Sequence, residues 1–296
     1  METEILKLRG DAADDKLALR LQPGSPGTLE ADIGADGIAE LSFDRSTFTS
    51  IDVAAGSGDD EVRIDQSGGA FTDESVTMNG GAGDDTLIGG AGAEIFIGGP
   101  GEDFGDGNVG ADHASLGAGD DRFQWDPGDG SDTVEGEGGN DQLDFNASNA
   151  PEQIELSANA GRTRLTRNIG AITIDFDGIE HVGLRLLGGT DTVTVNDLAG
   201  TGVKGVDVDL SATAGGGDGV PDSVVVNGTD RRDVVQVTRS GDQVSVAGLA
   251  AEIRIAGSES LNDTLRIQTL DGDDDVTIEP DVELLITPVV NLGPGE

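Results

Sequence analysis

Residues 80–88 read GGAGDDTLI, and the chain then continues in steps of nine: GGAGAEIFI (89–97), GGPGEDFGD (98–106), GNVGADHAS (107–115) and LGAGDDRFQ (116–124). The first copy matches the pattern G-G-x-G-x-D-x-U-x, where U is a large apolar residue. Position six is filled by Asp85, Glu94, Asp103, Asp112 and Asp121, acids in strict register. Trp125 and Asp126 interrupt the frame. It resumes as PGDGSDTVE (127–135) and GEGGNDQLD (136–144), which place Asp132 and Asp141 at position six. Position eight runs Leu87, Phe96, Gly105, Ala114, Phe123, Val134, Leu143. Gly105 and Ala114 are too small to fill a core, so the middle copies read as degenerate.

Each half of the nonapeptide has its own physical task. The glycine-rich half turns sharply, because glycine accepts positive φ without steric cost. The x-U-x half is a short strand with its apolar residue inward. Two nonapeptides make one turn of a coil, so loops 18 residues apart stack at the spacing of neighbouring strands, about 4.8 Å. On this geometry Asp85, Asp103, Asp121 and then Asp141 line one edge, and Glu94, Asp112 and then Asp132 the other. Carboxylates beside turn carbonyls are hard oxygen ligands, which suit Ca2+ with its 6–8 flexible oxygen contacts. Zinc prefers His and Cys, and this chain has two His and no Cys.

Outward from the repeats, the triplet Asp-x-apolar recurs at Asp15, Asp60, Asp191, Asp222, Asp233, Asp263 and Asp274. In these flanks the Asp reads as a turn cap that accepts from nearby amides. DSVVVNGTDRRDVVQV (222–237) aligns without a gap on DTLRIQTLDGDDDVTI (263–278), a repeat of 41. Segments such as LALRL (17–21), AITIDF (171–176), QVSVAG (243–248) and EIRIAG (252–257) alternate apolar and polar residues, the signature of strands. No segment carries sustained helical periodicity. The expected fold is all-β: a right-handed parallel β-solenoid with a calcium-binding β-roll segment. Three zones follow, a strand-rich flank at 1–78, the nonapeptide β-roll at 79–145 and further solenoid repeats at 146–296, read as one continuous stack.

Composition narrows the function. The 296 residues hold 58 acidic against 17 basic side chains, a formal charge of −41. That charge argues against a nucleic-acid partner. The absence of cysteine excludes disulfides and cysteine nucleophiles. No apolar run is long enough for a membrane span. The opening METEILKLRG has acid where a signal peptide carries base, and lacks its apolar stretch. With 8 Phe, 1 Trp and no Tyr, the core must be aliphatic.

GGAGDDTLI and its neighbours resemble the RTX, or hemolysin-type calcium-binding, nonapeptide repeats of bacterial proteins. The resemblance covers 80–144. It implies a parallel β-roll, several Ca2+ ions at the position-six acids, and export to the cell surface or exterior by a leaderless type I route. Glu94 departs from the family's Asp, and Gly105 and Ala114 from its apolar position. Flanking units such as GGTDTVTVNDLAGTGV (188–203) resemble repeats that accompany such nonapeptides.

The reading is therefore a secreted, non-enzymatic, calcium-binding repeat protein whose repeat zone folds on Ca2+ and which serves as a scaffold or spacer. Two alternatives belong to other classes. One is a polysaccharide-acting β-helix enzyme, a lyase or epimerase, against which the lack of aromatic sugar platforms argues. The other is an adhesion module for cell-envelope or matrix components. His113 and His181 read as strand or turn surface residues. Arg162, Arg164 and Arg167 read as a strand face balancing local acid.

Overall fold

The computed structural model describes residues 4–293. These fall into two compact units, Met1–Gln142 and Leu143–Glu296. The helices among the described residues are four short 3-10 turns, and no helix is long and apolar enough to cross a membrane.

In the first unit the chain alternates between two parallel sheets. One takes Ile5–Arg9, Ser50–Ser57, Ser75–Ala82, Glu94–Pro100, His113–Ala118 and Thr133–Gly138. The other takes Lys16–Gln22, Glu61–Ile64, Thr86–Ile88, Phe104–Asp106 and Arg122–Trp125. Every turn of the coil gives one strand to each sheet, which is the parallel β-solenoid that the nonapeptide step implies. Within the repeats the stacking offset is 18 residues: Phe104 pairs with Thr86 on one side and Arg122 on the other. Past the interruption, Ala114 pairs with Val134, an offset of 20. The two extra residues are absorbed within one turn, and the ladder continues.

The core answers the degenerate repeats. Position eight points inward throughout, with Leu87, Phe96, Ala114, Phe123, Val134 and Leu143 all buried. Gly105 leaves room that is filled from the next turn: a Cβ built there would stand 3.1 Å from the Phe123 ring and 3.7 Å from Leu116. Trp125 lies in the core, fully buried, and its indole N–H donates to the Gly130 carbonyl at 2.9 Å. Fully burying one such side chain contributes about 1.5–3 kcal/mol, so a few aromatics offset the small residues at the middle repeats.

The second unit repeats the scheme with longer steps. Val224 pairs with Leu265, and Val235 with Val276, in parallel. Both offsets are 41, the repeat seen in the sequence.

The flanks are not wholly parallel. Among the described residues, three antiparallel meanders interrupt the coil. In the first unit Ser25–Ile33 folds back on Lys16–Gln22, pairing Leu19 with Ala31, and Leu41–Asp44 joins it. In the second, Gln153–Asn159, Arg162–Arg167 and Ile172–Asp177 form one meander. Val234–Ser240, Gln243–Ala247 and Glu252–Ala256 form the other. Apolar–polar alternation is the same for parallel and antiparallel strands, so the sequence pattern does not separate them. The reversals sit at tight turns: Ala160 and Gly161 both have positive φ, 53° and 93°, as a two-residue hairpin of type I′ requires.

In the loops before Asp85, Asp103 and Asp121, stacking leaves no room for a side chain at the second and fourth positions of the repeat. Gly117 has φ 118°, and a Cβ there would lie 2.0 Å from the Gly99 carbonyl oxygen. Gly24 also has positive φ, 77°, but open space around it. Gly24→Ala should cost about the 1–2 kcal/mol of a left-handed residue. Gly117→Ala should cost clearly more, because backbone must also move. Urea unfolding of the two variants checks this, and equal midpoints would contradict the packing described.

Candidate metal centre

The position-six acids are buried at the loop–strand junctions. Asp85, Glu94, Asp103, Asp112, Asp121, Asp132 and Asp141 are each at most 3% exposed. One carboxylate oxygen of most of them closes a ladder between turns of the coil. The N–H of Asp60 donates to Asp85 at 2.8 Å, Asp85 to Asp103 at 2.8 Å, Asp103 to Asp121 at 2.7 Å and Asp121 to Asp141 at 2.8 Å. On the opposite edge Glu94 donates to Asp112 at 2.7 Å and Asp112 to Asp132 at 2.9 Å. The two edges hold the acids grouped from the sequence. A second ladder runs the other way through the exposed neighbours: Asp84 N–H donates to Asp59, and Glu102 N–H to Asp84.

The flanking acids belong to the same construction. Asp15 N–H donates to Asp60, Glu152 to Asp191, Asp191 to Asp222, Asp222 to Asp263 and Asp233 to Asp274. The reading of these residues as amide acceptors holds. Their amides, however, come from the neighbouring turn of the coil, and Asp60, Asp191, Asp222, Asp233, Asp263 and Asp274 are buried like the repeat acids.

The other carboxylate oxygen divides the loops into two kinds. In the first, the acid is capped by its own loop. The N–H four residues earlier donates to it in Asp11–Asp15 (2.9 Å), Gly90–Glu94 (2.8 Å), Ser148–Glu152 (3.1 Å), Thr229–Asp233 (2.7 Å) and Glu259–Asp263 (2.6 Å). In the second kind the residue four earlier has positive φ: Gly56, Gly81, Gly99, Asn108, Gly117 and Leu187. There the Oδ2 atoms of Asp60, Asp85, Asp103, Asp112, Asp121 and Asp191 are buried without a hydrogen-bond partner. A buried carboxylate oxygen with no donor costs on the order of 1–3 kcal/mol or more. It is an oxygen awaiting a cation or a proton.

Backbone oxygens lie close by. A Cβ on Gly98 would stand 2.2 Å from the Leu116 carbonyl oxygen and 2.5 Å from Asp103 Oδ2. A Cβ on Gly80 would meet Asp85 Oδ2 at 2.2 Å, and one on Gly107 would meet Asp112 Oδ2 at 2.4 Å. The first glycine of the repeat thus keeps open the space against which the acid rests. Among the described residues no three Asp, Glu or His side chains gather around a point. Any cation here takes one or two carboxylates and completes its shell from carbonyl oxygens, a donor set that fits Ca2+.

Burial and mutual repulsion act on the same groups. Burial first, then neighbouring carboxylates, push Asp85 up to about 6, Asp103 to about 7 and Asp112 to about 8. Asp132 is pushed up to about 6, and Glu94 and Asp121 are also raised, mainly by burial. The basic cluster of the sequence is turned on local acids. Arg162 and Arg164 pair with Asp175, and the buried Arg167 pairs with Glu152. His113 begins an exposed strand end and His181 is half-buried in another strand.

Sequence reasoning set Asp60 and Asp191 apart from the repeat acids. The signal that joins them is a glycine two residues before the acid, Gly58 and Gly189, each with positive φ, as at Gly83, Gly101 and Gly119.

The RTX calcium-binding nonapeptide repeat family matches the chain at residues 77–105, 97–124 and 128–149. No curated protein matches the sequence. Among solved structures, the extracellular lipase LipA from Serratia marcescens is similar at 13% identity, with a TM-score of 0.24. The match covers 73% of this chain and 43% of the lipase, so the chain spans less than half of that protein's length. Residues 77–124 and 128–149 are therefore similar to RTX calcium-binding nonapeptide repeats.

Proposed function

We propose that this is a non-enzymatic protein that works outside the bacterial cell as a calcium-dependent scaffold or spacer, and that its segment 79–145 folds when calcium binds. The observation that carries the reading is the buried, donor-free Oδ2 of Asp85, Asp103, Asp112 and Asp121. On one edge Asp85, Asp103, Asp121 and Asp141 would hold the ions, and on the other Asp112 and Asp132. Glu94 is the weakest of the seven, because its carboxylate already accepts N–H groups of Gly90 and Gly92.

Bound at these positions, calcium supplies positive charge to oxygens that the backbone leaves without a donor. The chain's own part is to bury those oxygens, space them by one turn of the coil and hold carbonyls beside them. Such an arrangement exists only in the folded coil, so binding energy becomes folding energy. A site at 100 times its dissociation constant contributes about 2.7 kcal/mol. Four would reach about 11 kcal/mol, within the ~5–15 kcal/mol of a whole domain. Free calcium is scarce in cytosol and plentiful outside, so the repeat zone would stay loose before export and set after it.

Circular dichroism and limited proteolysis in chelator and in millimolar calcium test this. Residues 80–144 should be protease-sensitive without calcium and resistant with it. Equal strand content and equal resistance in both would overturn the folding claim. Within the array, Asp103→Ala removes a ligand placed between two neighbouring loops and should lower the number of bound ions. Asp263→Ala removes a self-capped acid and should not. Equal losses would show that the wrong acids have been assigned.

Proton linkage gives a third test. The ordinary Asp value is 3.8, and the folded Asp103, which faces Asp121, Asp85 and Asp84, sits at about 7. A folded-state value raised above the unfolded one gives stability that is present below about pH 4 and lost as pH rises through about 6–8. In chelator, the denaturation midpoint of the repeat zone should therefore fall from pH 5 to pH 8. In saturating calcium that fall should vanish or reverse, since protons and cation compete for the same oxygens. The same fall in both conditions would argue that these carboxylates do not meet the ion.

A further inference from the structure

The second unit contains a loop of the open kind where no nonapeptide frame exists. It reads Leu187-Gly188-Gly189-Thr190-Asp191. Leu187 and Gly189 have φ of 66° and 126°, the same alternation of positive φ as Gly81 and Gly83 before Asp85. Leucine in the left-handed region is disfavoured, and its presence hides the loop from a pattern that requires glycine four residues before the acid. Asp191 is 1% exposed. Its Oδ1 accepts the Glu152 N–H at 2.8 Å, while its Oδ2 is buried with no partner.

Oxygens converge on this loop from the turns on both sides. A Cβ built on Gly188 would lie 3.1 Å from Asn149 Oδ1 and 3.5 Å from Asp218 Oδ2. One on Gly189 would lie 2.7 Å from the Ala150 carbonyl oxygen. Asp218 is tied to the loop by the Gly189 N–H, which donates to its Oδ2 at 3.0 Å. Asp222, Glu152 and Asp218 are all near enough to act on the charge of Asp191. Glu152 is neutralised by the buried Arg167, whereas no cationic side chain pairs with Asp191 or Asp218 among the described residues.

We propose that the loop 187–191 is a separate site for one hard divalent cation of the calcium type, outside the recognised repeats. Its candidate ligands are Asp191 Oδ2, Asp218, Asn149 Oδ1 and the Ala150 carbonyl. The loops of Asp233 and Asp263, whose acids are comparably buried, do not qualify, because these acids already receive the N–H groups of Thr229 and Glu259. The inference rests on the calcium reading of the repeats for the identity of the ion, and on the Asp191 loop alone for its place.

The test is a count of bound calcium on the full chain by calorimetric titration after chelator treatment. Asp191→Asn keeps the acceptor for the Glu152 N–H, removes the charge, and should lose one equivalent relative to wild type. Asp233→Asn, equally part of the ladder but self-capped, should lose none. Asp218→Asn lies on a half-exposed loop outside the ladder and should lose the same equivalent as Asp191→Asn. It decides the matter if circular dichroism shows Asp191→Asn to be unfolded. An unchanged count in Asp218→Asn and in folded Asp191→Asn overturns the site. If Asp103→Asn lowers the count while these two do not, only this inference falls. A wild-type chain that takes up no calcium overturns both.

Discussion

The structure depends on one interaction, the hydrogen bond from the backbone N–H of each loop acid to the carboxylate of the acid one turn further along. It recurs through the first unit from Asp15 to Asp141 and in the second from Glu152 to Asp263. A solenoid of short strands has few apolar contacts per turn, and its loops would otherwise leave amides unpaired at every junction. Placing an acid there satisfies the amide and fixes the register between turns. The consequence is a row of buried carboxylates, each carrying a second oxygen that also needs a partner.

The two kinds of loop are two answers to that need. At Asp15, Glu94, Glu152, Asp233 and Asp263 the residue four before the acid has ordinary φ, and its N–H turns in and donates to the carboxylate. At Asp60, Asp85, Asp103, Asp112, Asp121 and Asp191 that residue is left-handed, and one carboxylate oxygen is buried without a donor. On the proposed function, self-capped loops would give turns that stand without metal, whereas open loops would make folding conditional. The open loops concentrate in the repeat zone, the part with the most glycine and the least side-chain volume. The self-capped ones predominate in the flanks, where aliphatic alternation is strong.

Much of the coil was legible in the sequence. The nine-residue step fixed which residues stack, and Phe104 does pair with Thr86 and Arg122. The 41-residue repeat appears as the register of Val224 on Leu265. The meanders were not legible, because AITIDF or EIRIAG alternates identically in either strand direction, and only a turn such as Ala160-Gly161 betrays the reversal. Nor was the depth of the acids: an Asp in a Gly-rich turn reads as solvated, yet Asp85 is 1% exposed. The division between capped and open acids depends on a dihedral angle four residues away. Glycine advertises that angle at Gly81 but leucine conceals it at Leu187.

The central claim is that, above neutral pH, the repeat ladder is completed by a cation. Amide hydrogen exchange at the N–H groups of Asp85, Asp103 and Asp121 addresses it directly, with the N–H of Asp222, which donates to the self-capped Asp263, as internal reference. The account predicts that, above neutral pH, the three repeat amides exchange rapidly in chelator and become strongly protected in calcium, while Asp222 stays protected in both. Equal protection of the repeat amides with and without calcium would contradict it.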